Sequence, residues 1–358
     1  LKSKSIILYI FILLVFFKSE DSNAQKNKEE YSIYLIGDCG KNNFTGTNLL
    51  NLKKEITANP NSTVLFLGDN IYPSGLHFED KNSILKINAQ LAIVENYQGK
   101  AFFIPGNHDW AAQKKSGYQT ILNQQKYIDT FLLNHSLLKN KNSGIFFPKD
   151  ALPGPSSFLI SEKLRLIIID TQWFLHAFKK GKKLSSKETE KQFYHELDSL
   201  LTLSDKNNEH VIIAGHHPLL TNGKHAKPKA LARFIVNYIP PFQLIGLAGI
   251  YRLLSQDIDH HKYKKMRSNL IAIFNKHNNV HYVSGHEHNI QLFKENNVNY
   301  IVSGSGSKVS ALRTKKRFIP SYENDKQQGF IQLKLSKDNT FTTILVDETG
   351  NAIQIMNY

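Results

Sequence analysis

The chain has 358 residues, 41% hydrophobic and 21% charged, a composition that excludes a disordered chain, a collagen-like fibre and a polytopic membrane protein. A single cysteine, Cys39, excludes an intrachain disulfide and a cysteine-based zinc site, so any metal must be held by His, Asp, Glu, Asn or Tyr. The formal net charge is +15, but only six of the 45 basic residues are Arg (165, 233, 252, 267, 313 and 317) and the Lys are scattered. With neither an Arg cluster nor an aromatic platform, no nucleic-acid partner is expected, whereas a diffuse positive field suits an anionic substrate.

Lys2 and Lys4 precede an apolar run from Ile6 to Phe17, and Ser22-Asn23-Ala24 supplies a small-x-Ala site. This pattern predicts a signal peptide over 1–24 and an exported protein, periplasmic or secreted. The charged approach from Lys18 to Asp21 leaves an uncleaved membrane anchor as the alternative. No cysteine follows the apolar run, which excludes a lipoprotein anchor there.

Beyond it, short β-branched runs each end in glycine and a polar cluster. Tyr31 to Ile36 leads to Gly37-Asp38-Cys39-Gly40. Thr63 to Leu67 leads to Gly68-Asp69-Asn70-Ile71-Tyr72. Ala101 to Ile104 leads to Pro105-Gly106-Asn107-His108-Asp109. His210 to Ile213 leads to Gly215-His216-His217-Pro218, and Val280 to Val283 leads to Gly285-His286-Glu287-His288-Asn289. These runs predict buried strands, with helices between them over Asn48–Ala58, Ser83–Tyr97, Ser186–Leu201 and Arg267–Asn278. Alternation of this kind predicts an α/β fold whose ligands bind at the carboxyl ends of the strands, where all five clusters lie. The tail, with Gly329–Leu335 and Thr340–Val346 around a Lys337-Asp338-Asn339 turn, predicts a β-hairpin.

Together the clusters offer carboxylates, an amide, imidazoles and a phenol: Asp38, Asp69, Asn107, His216, His286, His288 and Tyr72. Mixed oxygen and nitrogen donors suit Fe, Zn or Mn. Seven donors exceed one tetrahedral site but fit two ions sharing a carboxylate, an arrangement suited to phosphoryl displacement.

Gly-Asp-x-Gly, Gly-Asp-x-x-Tyr, Gly-Asn-His-Asp, Gly-His-x-Pro and Gly-His-x-His-Asn in this order resemble the blocks of the calcineurin-like metallophosphoesterases. Tyr72, three residues after Asp69, resembles the purple acid phosphatase branch, and the chain length resembles its small, tartrate-resistant type. The resemblance runs from about Tyr31 to about Ser307. It implies a four-layer α/β/β/α sandwich as the catalytic domain over 25–358. It further implies acid-phosphatase hydrolysis of phosphate monoesters, on a small molecule or a peptide, by hydroxide held on two metals. Asp38, Asp69, Tyr72 and His288 are implied to bind Fe3+, Asp69 to bridge, and Asn107, His216 and His286 to complete a divalent site (Fe2+, Zn2+ or Mn2+). His108 is implied to face the phosphate with Asp109 orienting it, and His225, nine residues after His216, to be a proton donor at the substrate. A phosphodiesterase or nucleotide pyrophosphatase on the same metals is the alternative enzyme, and a non-catalytic binding protein of the same fold the alternative class.

Cys39 departs from the bulky aromatic of that block and is expected to be packing. His217 is expected to be structural, and the pair His260 and His261 to lie outside the site. Between the fourth and fifth motifs, a helical or irregular insertion spans about 226–266. Its apolar stretch Leu231–Leu254, broken by Pro240-Pro241, is expected to pack on the sandwich, with a pocket lid or weak membrane-surface contact as alternatives.

Overall fold

Two mixed sheets carry the apolar runs. The computed structural model describes residues 30–42, 44–135, 137–178, 186–226 and 256–358, so the expected leader (1–24) and the stretch 231–254 lie outside the described residues. The strands are β1 (Tyr31–Ile36), β2 (Ser62–Phe66), β3 (Lys100–Phe103), β4 (Ser156–Ser161), β5 (Leu164–Ile168), β6 (His210–Ala214) and β7 (Val280–Ser284). They continue with β8 (Ile290–Glu295), β9 (Val298–Ser303), β10 (Tyr322–Asn324), β11 (Gly329–Leu335), β12 (Phe341–Asp347) and β13 (Ala352–Asn357). One sheet has the order β13-β12-β11-β1-β2-β3 and the other β10-β8-β9-β7-β6-β5-β4. In the first, β1, β2 and β3 pair in parallel and β11, β12 and β13 antiparallel; in the second, β5, β6, β7 and β9 pair in parallel and the strands outside them antiparallel.

Alternation along each strand sorts side chains between two cores. Ile33, Leu35, Leu65, Leu67, Phe102 and Ile104 face Leu166, Ile168, Ile212, Val283 and Ile301 across the space between the sheets. Their sequence neighbours Tyr34, Ile36, Val64, Phe66 and Phe103, and on the other sheet Ile167, Val211, Ile213 and Tyr282, pack against helices. Those helices are α1 (Thr47–Ala58), α2 (Lys81–Val94), α3 (Gly117–His135), α4 (Thr171–Leu175), α5 (Ser186–Lys206) and α6 (His261–Phe274). Helices outside and two sheets inside form the expected α/β sandwich. None of the described helices is long and apolar enough to cross a membrane.

Element boundaries moved where side chains cap or pack. Asp80 accepts from Asn82 N at 3.0 Å and starts α2 ahead of Ser83. Tyr263 and Met266 join Leu270, Ile273 and Phe274 on one buried stripe, so α6 begins at His261, before the expected Arg267.

The rims carrying the polar clusters are stitched together. Gly37 N donates to Ser303 O at 2.8 Å, from β1 of one sheet to β9 of the other, and Gly285 N donates to His216 O at 3.1 Å. The carboxyl ends of β1, β2, β3, β6 and β7 therefore converge on one edge.

The start of β6 is fixed by a buried ion pair. Arg165 on β5 donates to Glu209 through Nε at 2.7 Å and Nη2 at 3.2 Å, and Ser204 Oγ and Asn207 Nδ2 also donate to that carboxylate. Burial alone would raise the Glu209 pKa, but the bonds from Arg165, Ser204 and Asn207 hold it below its ordinary value. A depressed carboxylate pKa stabilises the fold fully above the unfolded value near 4.3 and loses that stabilisation as pH falls through the folded value. Glu209→Ala leaves Arg165 without its partner and should cost about 3 kcal/mol. Denaturant unfolding should show the gap between wild type and variant narrowing below about pH 4; an unchanged midpoint would make the pair ornamental.

Candidate metal centre

The seven donors singled out from the sequence arrive in one cluster, all of them buried except Tyr72, which is half-buried. Asp38, Asp69 and His286 carry it on backbones with φ of 61°, 53° and 68°. Non-glycine residues in this region are strained, and such strain collects at functional sites. The turns beneath allow no side chain: a Cβ on Gly106 would lie 2.2 Å from Asp69 N, and one on Gly68 2.7 Å from His216 Nδ1.

Two triads of donor atoms result. On one side Tyr72 Oη lies 2.9 Å from Asp38 Oδ1 and 3.1 Å from His288 Nε2, with His288 Nε2 3.4 Å from Asp38 Oδ1. On the other, Asn107 Oδ1 lies 3.1 Å from His216 Nε2 and 3.0 Å from His286 Nδ1, with 3.3 Å between the two imidazole nitrogens. Asp69 Oδ1 stands 3.4 Å from His216 Nε2, and donor atoms of Asp38, Asp69 and His216 lie within 4.8 Å of one another. Asp69 thus joins the two triads.

The donor set fits cations on its own chemistry. His216 Nδ1 meets Leu67 O at 2.8 Å, so that nitrogen must carry the hydrogen. With Nδ1 so engaged, Nε2 faces two oxygen acceptors, Asn107 Oδ1 and Asp69 Oδ1, so positive charge belongs there: a proton on the ring, which burial opposes but Asp69 and Asp38 favour, or a cation in its place. His286 offers Nδ1 to the same triad, while its buried Nε2 has no hydrogen-bond partner among the described residues. Edges of about 3.0–3.4 Å are what donors at about 2.0–2.2 Å from a shared ion present. Second partners aim the ligands: Ser310 Oγ contacts His288 Nδ1 at 3.2 Å, and His286 N donates to Asp38 Oδ2 at 2.7 Å.

Electrostatics follow from the crowding. Burial would raise Asp69, but facing His216 and His108 hold it down at about 2. Burial, then Asp38 and Asp69, push the Tyr72 phenol well above its ordinary value. A cation in that triad would reverse the effect and favour phenolate. On the neighbouring loops stand Lys41, Lys224 and Lys308; the Lys308 ammonium is lowered by burial and by the other two charges.

The flanking histidines sit at the edge. His108 N donates to Asp69 Oδ1 at 2.8 Å, its ring lies 4.2 Å from the Tyr72 ring, and its Nε2 is 4.0 Å from Asp69 Oδ2. Asp109 does not orient it. The Asp109 carboxylate turns inward, taking Gly106 N at 2.8 Å, Asn70 N at 3.2 Å, Asn70 Nδ2 at 3.1 Å and Ile71 N at 3.1 Å. Pro73 O, 2.7 Å from His108 Nδ1, takes the orienting place. Asp109 instead clamps the loop of Asp69 to the loop of Asn107. The His225 ring lies 4.5 Å from that of His286, beside the triad of Asn107, His216 and His286.

His217 is buried between Thr171 Oγ1 and Gln256 Oε1, each at 2.8 Å from a ring nitrogen. His260 and His261 stand at the start of α6. Cys39 is buried against Gly37 and Gly306. Motif reading missed Ser310, Leu67 O, Pro73 O, Glu287 and Asp257.

Residues 31–304 match the family described as calcineurin-like phosphoesterase. No curated protein sequence matches the chain significantly. Among solved structures, GAP50, the anchor in the inner membrane complex of Plasmodium, is similar at 17% identity and a TM-score of 0.55, over 91% of this chain and 88% of that one. A dimetal phosphatase from Danio rerio is similar at 13% identity and a TM-score of 0.53, over 91% of this chain and 98% of that one. A purple acid phosphatase from yellow lupin (Lupinus luteus) seeds is similar at 13% identity and a TM-score of 0.55, over 92% of this chain and 53% of that one. At these identities the likeness is one of fold.

Proposed function

The chain belongs to the calcineurin-like phosphoesterase family, and on that premise we propose that it is a two-metal acid phosphatase of the purple type, hydrolysing phosphate monoesters. The observation that carries this reading is the pair of donor triads joined by Asp69. Fold alone carries less, since a similar fold serves an anchor protein in Plasmodium.

The two triads differ in hardness. Asp38, Tyr72 and His288 with Asp69 provide anionic oxygens suited to Fe3+. Asn107, His216 and His286 with Asp69 provide a borderline set suited to Fe2+, Zn2+ or Mn2+. Cations bound there supply Lewis-acid charge that polarises the phosphate and acidifies water. The chain does the rest. Asp69 fixes the spacing, the Gly106 and Gly68 turns bring the loops together, and His108, 29% exposed and aimed by Pro73 O, is placed to hold or give a proton at the phosphate. Lys41, Lys224 and Lys308 make the mouth attractive to an anion. We read the leader pattern as export to the periplasm or outside, which N-terminal sequencing of the mature protein would check.

The test is metal analysis of the purified protein with a visible spectrum, then nitrophenyl phosphate against its bis-ester across pH. Two metals with preference for the monoester support the reading; preference for the bis-ester moves it to a phosphodiesterase. His108→Ala should retain both metals and slow turnover by about 100-fold, the scale of a lost acid or base. Loss of metal in that variant would make His108 a ligand.

A further inference from the structure

His225 is held from four directions. Its turn, Lys224–Ala226, rests on the buried carboxylate of Glu287, which accepts from His225 N at 2.8 Å and Lys224 N at 3.1 Å. Its carbonyl accepts from Ile258 N at 3.0 Å. Its ring lies against the His286 ring at 4.5 Å and 32°. Its Nδ1 meets Asp257 Oδ1 at 3.3 Å, the two side chains being 20% and 12% exposed. The tripeptide that supplies the last contacts also serves the neighbouring histidine, because Gln256 Oε1 meets His217 Nε2 at 2.8 Å. Residues 256–258, far from the motifs in sequence, therefore dock on both histidines that flank the divalent triad.

We propose that Asp257 is a positioning residue of this site. It holds His225 by Nδ1, so that Nε2, which has no partner among the described residues, is the nitrogen presented to the leaving group. The inference rests on the phosphoesterase reading. As the P–O bond breaks, its electron pair passes to the ester oxygen, and His225 Nε2 gives that oxygen a proton, leaving an alcohol and a neutral ring still held at Nδ1. The oxygen of the attacking water forms the new P–O bond and its protons stay with the phosphate product, and the ring regains its Nε2 proton from that product or from solvent as it leaves. An alkoxide needs that proton far more than a nitrophenolate does, so the contribution of Asp257 should depend on the leaving group.

The test compares nitrophenyl phosphate with glycerol phosphate on the full-length, metal-loaded protein. Asp257→Ala should lower kcat for the glycerol ester by about 10- to 100-fold more than for the nitrophenyl ester, the range seen when an orienting partner is lost. KM and metal content should stay near wild type, and Asp257→Glu should recover part of the loss. Asp259→Ala is the control: Asp259 is two residues away and pairs with Arg317 at 2.8 Å, so its removal should leave the ratio of the two esters unchanged. If Asp257→Ala does not fold, Asp257→Asn should shift the ratio less, in the same direction. Equal losses on both esters, an unchanged ratio, or the same shift in Asp259→Ala overturns the inference. A wild-type protein that hydrolyses neither ester overturns the monoesterase reading and this one with it.

Discussion

Asp69→Asn should strip both cations and take turnover below detection, in a protein that stays folded. The fold should survive because asparagine tolerates the left-handed backbone that Asp69 adopts at φ 53°, and its remaining oxygen can still accept from His108 N. The site should not survive. Asp69 is 2% exposed and joins the two triads, so its charge serves both positions. The amide removes that charge and turns a second lone-pair atom into a donor, aimed where positive charge belongs. Two positions crowded by histidines would then lack the anion they share. The check is metal content after dialysis, with circular dichroism as the control for folding. Two retained metals with near-normal turnover would remove Asp69 from the centre of the site. Asp109→Asn is a useful contrast. Asp109 contacts loop backbone, with no contact to the His108 ring, so its variant should first loosen the turns of residues 69–71 and 106.

How much of this was legible follows from what a residue letter can carry. Donor side chains were visible because their chemistry is their identity, and glycine after each strand marked where the chain turns. Their convergence was legible too, since parallel strands place their carboxyl ends on one edge. The groups that aim the donors were not. Leu67 O fixes the tautomer of His216, and Pro73 O orients His108 in the place expected of Asp109. Every residue has a carbonyl, so no letter announces one that matters. Asp257 was hidden for another reason: it lies at the far root of an insertion, and only the contacts of Gln256, Asp257 and Ile258 with His217 and His225 show that this root returns to the site. Helix α3 was missed because buried Thr120 and Gln124 interrupt its apolar stripe. Packing against β3 and its loop, with Thr120 Oγ1 donating to Asp109 O, overrides that weak pattern.

The oxidised wild-type protein should show a visible absorption band, and Tyr72→Phe should abolish it. The reasoning starts from the phenol, whose oxygen lies 2.9 Å from Asp38 Oδ1 and 3.1 Å from His288 Nε2. Burial, and then the two carboxylates beside it, push the phenol pKa well above its ordinary value. A trivalent ion among the same atoms favours phenolate, and a phenolate bound to Fe3+ absorbs in the visible by charge transfer from ligand to metal. A divalent ion in that triad would leave the protein colourless. Phenylalanine keeps the ring that packs against His108 at 4.2 Å, so the edge of the site should hold its shape while one anionic donor is lost. The triad would then retain Asp38, His288 and the shared Asp69, a set less partial to the ferric state. Turnover supported by two divalent metals should persist at a reduced level, with its optimum moved to higher pH, because water is acidified less by a divalent charge. Iron content and the spectrum together decide the matter. Iron-loaded, oxidised wild type without a visible band would make Tyr72 a packing aromatic and return the protein to the wider family of divalent-metal phosphoesterases.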